Sequence, residues 1–371
     1  MRSLFIFDPK DLYSPILGGV QLCSQEFLDI VGAASEELEL VPVSVTDAPI
    51  WRLRRLFGLG SYLFYRPKDV REVLVKAAAS IDPTHIFLNR SELIRIAPLV
   101  AELAPHAKIV VMSHGNQSGD DLYEVAGPGG ARKSKIGRIK AMWQLGLDLA
   151  NESRYRHRYL DAVCVMSEEE EILERWLGAT TTVVLPRIIK VNPLTWEPIF
   201  GRIGFVGTLN HTPNRIALER LCDHLSTFDA SNLEFRLVGG PDDVGRALAT
   251  KYSFVVYLGK LNDEMLQREA ASWTLFLNPI FWLSRGASMK LGQSLSWAIP
   301  ALTTRAGARG YQLTSDQSFI TGDSVEAFTA TLLDVVHSSD QLSKVRNRLL
   351  RSAEDWPNVQ FLASRLKSIL D

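Results

Sequence analysis

The chain is poor in cysteine. Cys23, Cys164 and Cys222 are the three in its 371 residues, and they lie far apart. That spacing gives neither a disulfide framework nor a zinc-ligand pair, and it fits a reducing cytosol. An excess of charge is missing as well: 41 Lys and Arg offset 42 Asp and Glu, for a formal net charge of −1. This excludes the global basic field of most nucleic-acid binders, so no nucleic-acid partner is expected. No apolar run approaches the roughly eighteen residues a membrane-spanning helix needs. The opening run Leu4-Phe5-Ile6-Phe7 is too short for a signal-peptide core and meets Asp8-Pro9 at once, so it reads as a first strand. A soluble protein is expected, with a role at a membrane surface left open.

The composition is that of globular proteins, with 46% hydrophobic and 22% charged residues. A chain of 371 residues exceeds one ordinary core and points to two domains. Short apolar runs alternate with helical-period segments, the pattern of βαβ units and parallel sheets. In the first half, strands are expected at Leu4–Asp8, Glu39–Val45, His85–Asn89, Ile109–Ser113, Ala162–Ser167 and Thr182–Leu185. Helices are expected at Gly19–Val31, Lys68–Ala79, Glu92–Leu103 and Glu168–Leu177. Val191–Pro198, with two prolines and no periodicity, reads as a linker. A second series has strands at Ile203–Val206, Glu234–Val238, Val255–Leu258, Trp273–Asn278, Pro300–Thr303 and Phe319–Thr321. The expected organisation is a Rossmann-like domain over residues 1–192, a second over 200–354, and an amphipathic helix in 355–371 returning to the first. In such sheets ligands collect at the carboxyl ends of strands, and here between domains as well.

The segment Ser284-Arg285-Gly286-Ala287-Ser288-Met289-Lys290 follows an apolar strand and opens a helix. A glycine turn at a helix start offers free N–H groups and a positive dipole end, and Arg285 and Lys290 add charge suited to a pyrophosphate. The plainer reading is an ordinary strand–turn–helix unit with two solvated cations. Gly18-Gly19 opens a helix after strand one, where backbone could approach a diphosphate, though a simple loop end gives the same pattern. His114, beside Gly115, ends another strand and could bond a sugar hydroxyl or carry a proton; a structurally satisfied histidine is the alternative. Gly207-Thr208 follows the first strand of the second half, with Thr212 placed as helix cap and Pro213 in the first turn. Glu168–Glu171 suits the first turn of a helix and reads as structural. Asp120-Asp121 and Asp242-Asp243 lack partner carboxylates at ligand spacing, so no metal is expected. Trp51–Lys76 and Arg132–Arg158 mix basic residues with aromatics. They fit an anionic membrane surface or a lipid-phosphate acceptor, or simply a solvated face.

Taken together, Phe-Val-Gly-x-x-x-x-x-Pro-Asn at 205–214 and Arg-Gly-x-x-x-Lys-x-x-x-x-Leu at 285–295 resemble the GT-B-fold, family 4, retaining glycosyltransferases. The likeness is nearest to sugar transferases of bacterial exopolysaccharide clusters, and it covers nearly the whole chain. It implies a GT-B fold, two Rossmann-like domains facing across a cleft, with the last helix crossing back. It implies a metal-independent hexosyltransferase with no cofactor besides its nucleotide-sugar co-substrate. By that likeness Gly18, Gly19, Gly207, Thr208, Arg285, Gly286 and Lys290 line the donor diphosphate. Gly259-Lys260-Leu261 lies beside the base, and His114 contacts the sugar being transferred. The leaving phosphate itself takes the acceptor proton. Two departures stand out. Arg285 and Gln293 occupy the positions of two customary glutamates, and the Arg/Lys pair near Gly207 is replaced by Asn210 and His211. The acceptor implied is a saccharide, lipid-linked, in envelope or extracellular polysaccharide synthesis, with the enzyme cytoplasmic or peripheral on the inner membrane face. A non-catalytic GT-B nucleotide-binding or partner module, and a GT-B sugar-nucleotide epimerase, are the alternatives. A nicotinamide dehydrogenase is disfavoured, since neither half shows Gly-x-Gly-x-x-Gly with a downstream acid.

Overall fold

The computed structural model describes residues 1–14, 18–45, 49–54, 65–126, 134–282, 285–352 and 355–371. Ser284, Arg132, and Arg55, Leu56, Phe57, Tyr62 and Phe64 of the first basic segment lie outside the described residues. The chain divides into two compact units. One comprises Met1–Ala126, Lys133–Ile188 and Pro357–Asp371, and the other, among described residues, Ile189–Trp356.

The first unit runs β1 (Arg2–Phe7), α1 (Gly19–Ala34), β2 (Glu37–Pro42), α2 (Pro49–Arg54), α3 (Pro67–Ile81), β3 (His85–Asn89), α4 (Ala97–Leu103), β4 (Lys108–Met112), α5 (Gln117–Ala126), α6 (Lys135–Tyr159), β5 (Ala162–Val165), α7 (Glu168–Trp176) and β6 (Thr182–Val184). Its six strands pair in parallel in the order β2-β1-β3-β4-β5-β6. The strands read as continuous apolar runs because helices cover both faces of the sheet; β3 and β5 are buried along their whole length. The expected helix over Glu92–Leu103 is divided. A 3₁₀ segment at Ser91–Ile96 gives way to α4, with Pro98 in its first turn, where its missing N–H costs least.

The second unit runs β7 (Ile199–Val206), α8 (Thr212–Leu225), β8 (Glu234–Val238), α9 (Asp242–Lys251), β9 (Val255–Gly259), α10 (Asp263–Ala271), β10 (Trp273–Asn278), α11 (Met289–Ser296), β11 (Ala301–Thr304), α12 (Arg305–Ala308), β12 (Phe319–Thr321), α13 (Val325–Val335) and α14 (Ser339–Arg351). Its parallel order is β12-β11-β10-β7-β8-β9. Where β7 meets β10, Gly204 leaves room for the Trp273 ring; a Cβ at Gly204 would lie 2.0 Å from that ring. The Val191–Pro198 segment is extended but not loose. Arg346 donates to Leu194 O at 2.7 Å, and Trp196 Nε1 to Trp273 O at 2.7 Å.

A final helix, α15 (Val359–Leu370), belongs to the first unit and packs on α1. It begins at Val359, inside the expected 355–371, because the Asn358 side chain caps it by accepting from Phe361 N at 2.9 Å. Trp356 instead joins the second unit's core.

Candidate functional site

In the second sheet the strand order reverses between β7 and β10, so the loops after these strands diverge and leave a crevice at their carboxyl ends. The β7 loop starts at Gly207, whose N–H donates to Val238 O at 3.0 Å. A Cβ there would press on Lys290 Cδ at 3.2 Å and Asn214 Nδ2 at 3.3 Å. Gly239, at φ +134°, runs against Gly207: its Cβ would stand 1.9 Å from Gly207 O. Thr208 is exposed, and its carbonyl accepts from Asn214 Nδ2 at 2.8 Å. Helix α8 begins one residue earlier than expected. His211 holds the cap position without a side-chain bond, and Thr212 is already helical because Pro213 fits the first turn behind it.

Lys290 comes from the first turn of α11 and reaches the same spot. Its Nζ donates to Asn214 Oδ1 at 2.8 Å and lies 5.2 Å from the Phe205 ring centroid. The residue is half-buried, and burial lowers its pKa to about 8. No carboxylate among the described residues pairs with it. The preceding loop is held from beneath. Gly286, buried at φ +71°, has its carbonyl gripped by Arg309 through Nε at 3.2 Å and Nη2 at 2.7 Å. Tyr311 OH donates to Ser288 O at 2.8 Å. Ser288 caps α11, yet its hydroxyl turns to Asn278 Oδ1 at 2.8 Å and makes no cap bond. Ser288 thereby leaves the first-turn N–H groups of α11 without a side-chain cap. Arg285 stands half-buried in that loop, and Gln293 sits half-buried one helical turn beyond Lys290.

A recess of about 670 Å³ opens beside this crevice, lined by Pro241, Asp242, Arg246, Tyr257, Leu258, Gly259 and Lys260. A Cβ at Gly240 would meet Lys260 Cε at 2.6 Å, a contact the flexible lysine can relieve by shifting. Tyr257 OH donates to Gly239 O at 2.8 Å and Asp242 Oδ1 at 2.7 Å, and burial with Asp242 pushes its pKa up to about 12. Leu261, by contrast, packs partly onto the core.

Gly207, Thr208, Gly286, Lys290, Gln293 and Lys260 thus belong to one unit, while Gly18, Gly19 and His114 belong to the other. Gly18 caps α1 in an ordinary extended conformation, and its N–H is already taken by Gln21 Oε1 at 2.9 Å. His114 Nε2 lies 3.2 Å from Asn89 Oδ1, and its ring meets Phe27 edge-on at 5.3 Å. The Glu168–Glu171 run forms the first turn of α7, where Glu170 accepts from Met166 N at 3.3 Å.

Sequence reading assigned no role to several residues. Asn214 and Arg309 position the lysine and the loop. At the first sheet's own point of reversal, Arg90 at φ +83° bonds Asp11 at 2.9 Å and Glu92 at 2.5 Å, and Tyr65 OH donates to Asp8 at 3.0 Å. A non-glycine at positive φ directly after a strand is the kind of strain found at functional sites, but no sequence signal marks it.

Residues 201–338, which contain this crevice, match the family model described as Glycosyl transferases group 1. No curated protein matches the chain. Among solved structures, the chain is similar to sucrose-phosphate synthase of Thermosynechococcus elongatus, at 13% identity and a TM-score of 0.68, covering 99% of this chain and 98% of that one. It is similar to HepE of Anabaena in complex with UDP and glucose, at 14% identity and a TM-score of 0.64, covering 100% and 99%. A third likeness, at 12% identity and a TM-score of 0.58, covering 100% and 99%, is to an E. coli structure described as trehalose-6-phosphate bound with UDP-2-fluoro glucose. The fold is GT-B, with two six-stranded parallel sheets flanked by helices.

Proposed function

We propose that this chain is a glycosyltransferase moving a sugar from a nucleotide-sugar donor to a saccharide acceptor. The observation that carries the reading is Lys290, a half-buried cation that no carboxylate among the described residues pairs with, in the first turn of a helix whose cap residue makes no side-chain cap bond. A buried ammonium without a counter-charge is unfavourable unless an anion completes the site. A diphosphate has that charge, and the N–H groups of α11 face the same way. The family match over residues 201–338 supports the reading, as do neighbours described in complex with UDP and glucose and with UDP-2-fluoro glucose.

In this reading Lys290, Arg285 and the α11 N-terminus stabilise the charge that develops on the departing diphosphate. These cations supply charge of the kind a divalent ion would otherwise supply, so transfer uses no metal or resident cofactor. Gln293 accepts from ribose hydroxyls, the base occupies the recess beside Lys260, and Gly207 and Thr208 border the phosphates. His114 contacts the sugar being transferred, as the family likeness implies. Transfer proceeds with retention, and the leaving phosphate takes the proton of the incoming hydroxyl, as in the family 4 enzymes the sequence resembles. The acceptor is a lipid-linked saccharide of envelope or extracellular polysaccharide, met on the cytoplasmic side.

Calorimetric titration with UDP, GDP, dTDP and ADP, followed by turnover of the corresponding sugars, tests this. One nucleotide diphosphate should bind, and Lys290→Ala should weaken it at least tenfold, about 1.5 kcal/mol, as a charge-assisted bond is lost. Unchanged affinity in the variant defeats the site assignment. Tight binding with no hydrolysis or transfer from any sugar nucleotide identifies a binding module instead.

A further inference from the structure

The N-terminal half of α6 turns an apolar stripe outward. Ile136, Ile139, Met142 and Trp143 are 81%, 67%, 56% and 62% exposed. Their spacing of three and four residues places them on one side of the helix. The exposed cations Lys135, Arg138 and Lys140 flank that stripe, and no acidic residue occurs from Ser134 to Leu147. The buried side of α6, in its C-terminal half, is mostly polar: Asp148, Glu152 and Arg156 are fully buried beside Tyr155. A helix normally buries its apolar face and exposes its charges. Here the arrangement is reversed.

We infer that this face seats the protein on an anionic phospholipid bilayer. Trp143 and the two isoleucines enter the boundary between headgroups and acyl chains, where an amphipathic indole is favoured, and the three cations engage lipid phosphates. The charge selects the partner. Helix α7 carries a second exposed apolar pair, Ile172 at 71% and Trp176 at 69%, on a helix whose first turn is four glutamates. An anionic surface repels that patch and attracts the one on α6. Gly178, just after α7, lies against Ser153 and His157 near the far end of α6, about 20 Å along the helix from Ile139. The two patches are separate surfaces. The docking face lies in the first unit and stands apart from the nucleotide reading, which rests on the second.

Co-sedimentation of the full chain with vesicles tests the inference, using phosphatidylcholine alone and phosphatidylcholine mixed equally with phosphatidylglycerol. The parent chain should pellet with the anionic vesicles only, and high salt should release it. The Ile139→Ser/Trp143→Ser pair should abolish pelleting. Lys135→Gln/Arg138→Gln/Lys140→Gln should weaken it roughly a hundredfold, about fivefold for each cation. Trp176→Ser should pellet like the parent. All these positions are exposed, and circular dichroism melting confirms that each variant is folded. A parent chain that stays in the supernatant overturns the proposal, as does undiminished pelleting by both α6 variants. Self-association that the serine pair abolishes, without vesicle binding, assigns the face to a second copy and overturns it too. A chain that binds vesicles but no nucleotide diphosphate overturns the transfer reading and leaves the docking face standing; the converse overturns docking alone.

Discussion

Burying an ammonium group costs free energy, and Lys290 shows that cost as a pKa lowered by burial to about 8. Two consequences follow from the sign. In the ligand-free protein, an unfolded chain holds a proton on this lysine that the folded chain has lost between pH 8 and the ordinary lysine value near 10.5. The lysine's contribution to stability therefore rises with pH across that window. An anion beside Nζ favours the charged form and raises the pKa, so binding at or above pH 8 takes up a proton. Affinity should then fall as pH rises past 8, by up to about tenfold per unit. Calorimetry of diphosphate binding in two buffers of different ionisation enthalpy reads this uptake directly. Lys290→Met should abolish it, and a parent chain with no uptake would refute the picture. His114 makes a different prediction. His114→Ala should lower kcat at least about tenfold while nucleotide affinity stays put, since its proposed contact is to the sugar in transfer. Asn89 keeps its bond to Ser24 Oγ at 2.9 Å in that variant, so folding should survive. Parental turnover would return His114 to a structural role. Glycine beside lysine after a strand made Lys290, Gly207 and Gly286 visible in the sequence. Asn214 and Arg309 stayed without a role because their partners lie 76 and 23 residues away, where no local pattern reaches.

Among elements, the strands were the easiest to read. Buried on both faces, they are short apolar runs bounded by polar turns, and β3, β8, β10 and β12 begin and end where those runs do. Helix α6 was not legible as a helix, for a physical reason. Its buried side holds Asp148, Asn151, Glu152 and Arg156, and its outward side holds Ile136, Ile139 and Trp143, so hydrophobic periodicity points the wrong way. What fixes that buried side is hydrogen bonding. Arg156 Nη2 meets Glu174 at 3.0 Å, Asn116 Nδ2 meets the same carboxylate at 3.0 Å, and Ser118 N donates to Glu152 at 3.0 Å. The loops carry a sharper test, in two glycines at positive φ whose surroundings are opposite. Gly239, at φ +134°, would drive a Cβ to 1.9 Å from the Gly207 carbonyl, whereas Gly259, at φ +73°, has nothing within 4 Å. Gly239→Ala should destabilise by about 3 kcal/mol or more and weaken diphosphate binding through the displaced Gly207 loop. Gly259→Ala should cost only about 1 kcal/mol of backbone strain. Urea titration of the two variants compares them, and equal losses would mean that the contact with Gly207 carries no weight.

At the scale of the whole molecule, the order of the chain and the division into units disagree at one place. Everything after Trp356 follows the second unit in sequence but belongs to the first in space. Helix α15 buries Leu362, Ala363, Leu366 and Leu370 and lies against α1, the helix that Gly18 caps. Lys367 approaches Glu36 at 3.7 Å, and Lys108 on β4 donates to the Leu370 carbonyl. The apolar face of Val359–Leu370 was readable as an amphipathic helix returning to the first domain; its partner there, α1, lies more than three hundred residues earlier, beyond the reach of any local pattern. Removing residues 357–371 should leave the facing side of α1 in water. Three buried leucines at about 1.5–3 kcal/mol each put the loss near 5 kcal/mol or more, most of the stability of an ordinary domain. The loss should fall on one unit. Calorimetric scanning should show the first unit's transition lowered or gone, with the second unit's transition unmoved. Diphosphate affinity should stay within about twofold of the parent, because Lys290, Asn214, Gly207 and the Arg309-held loop all lie in Ile189–Trp356. A truncated chain that melts like the parent would deny α15 its packing role. One that loses nucleotide binding while the second transition persists would show that the first unit supplies donor contacts that Lys290 and the α11 N-terminus cannot replace.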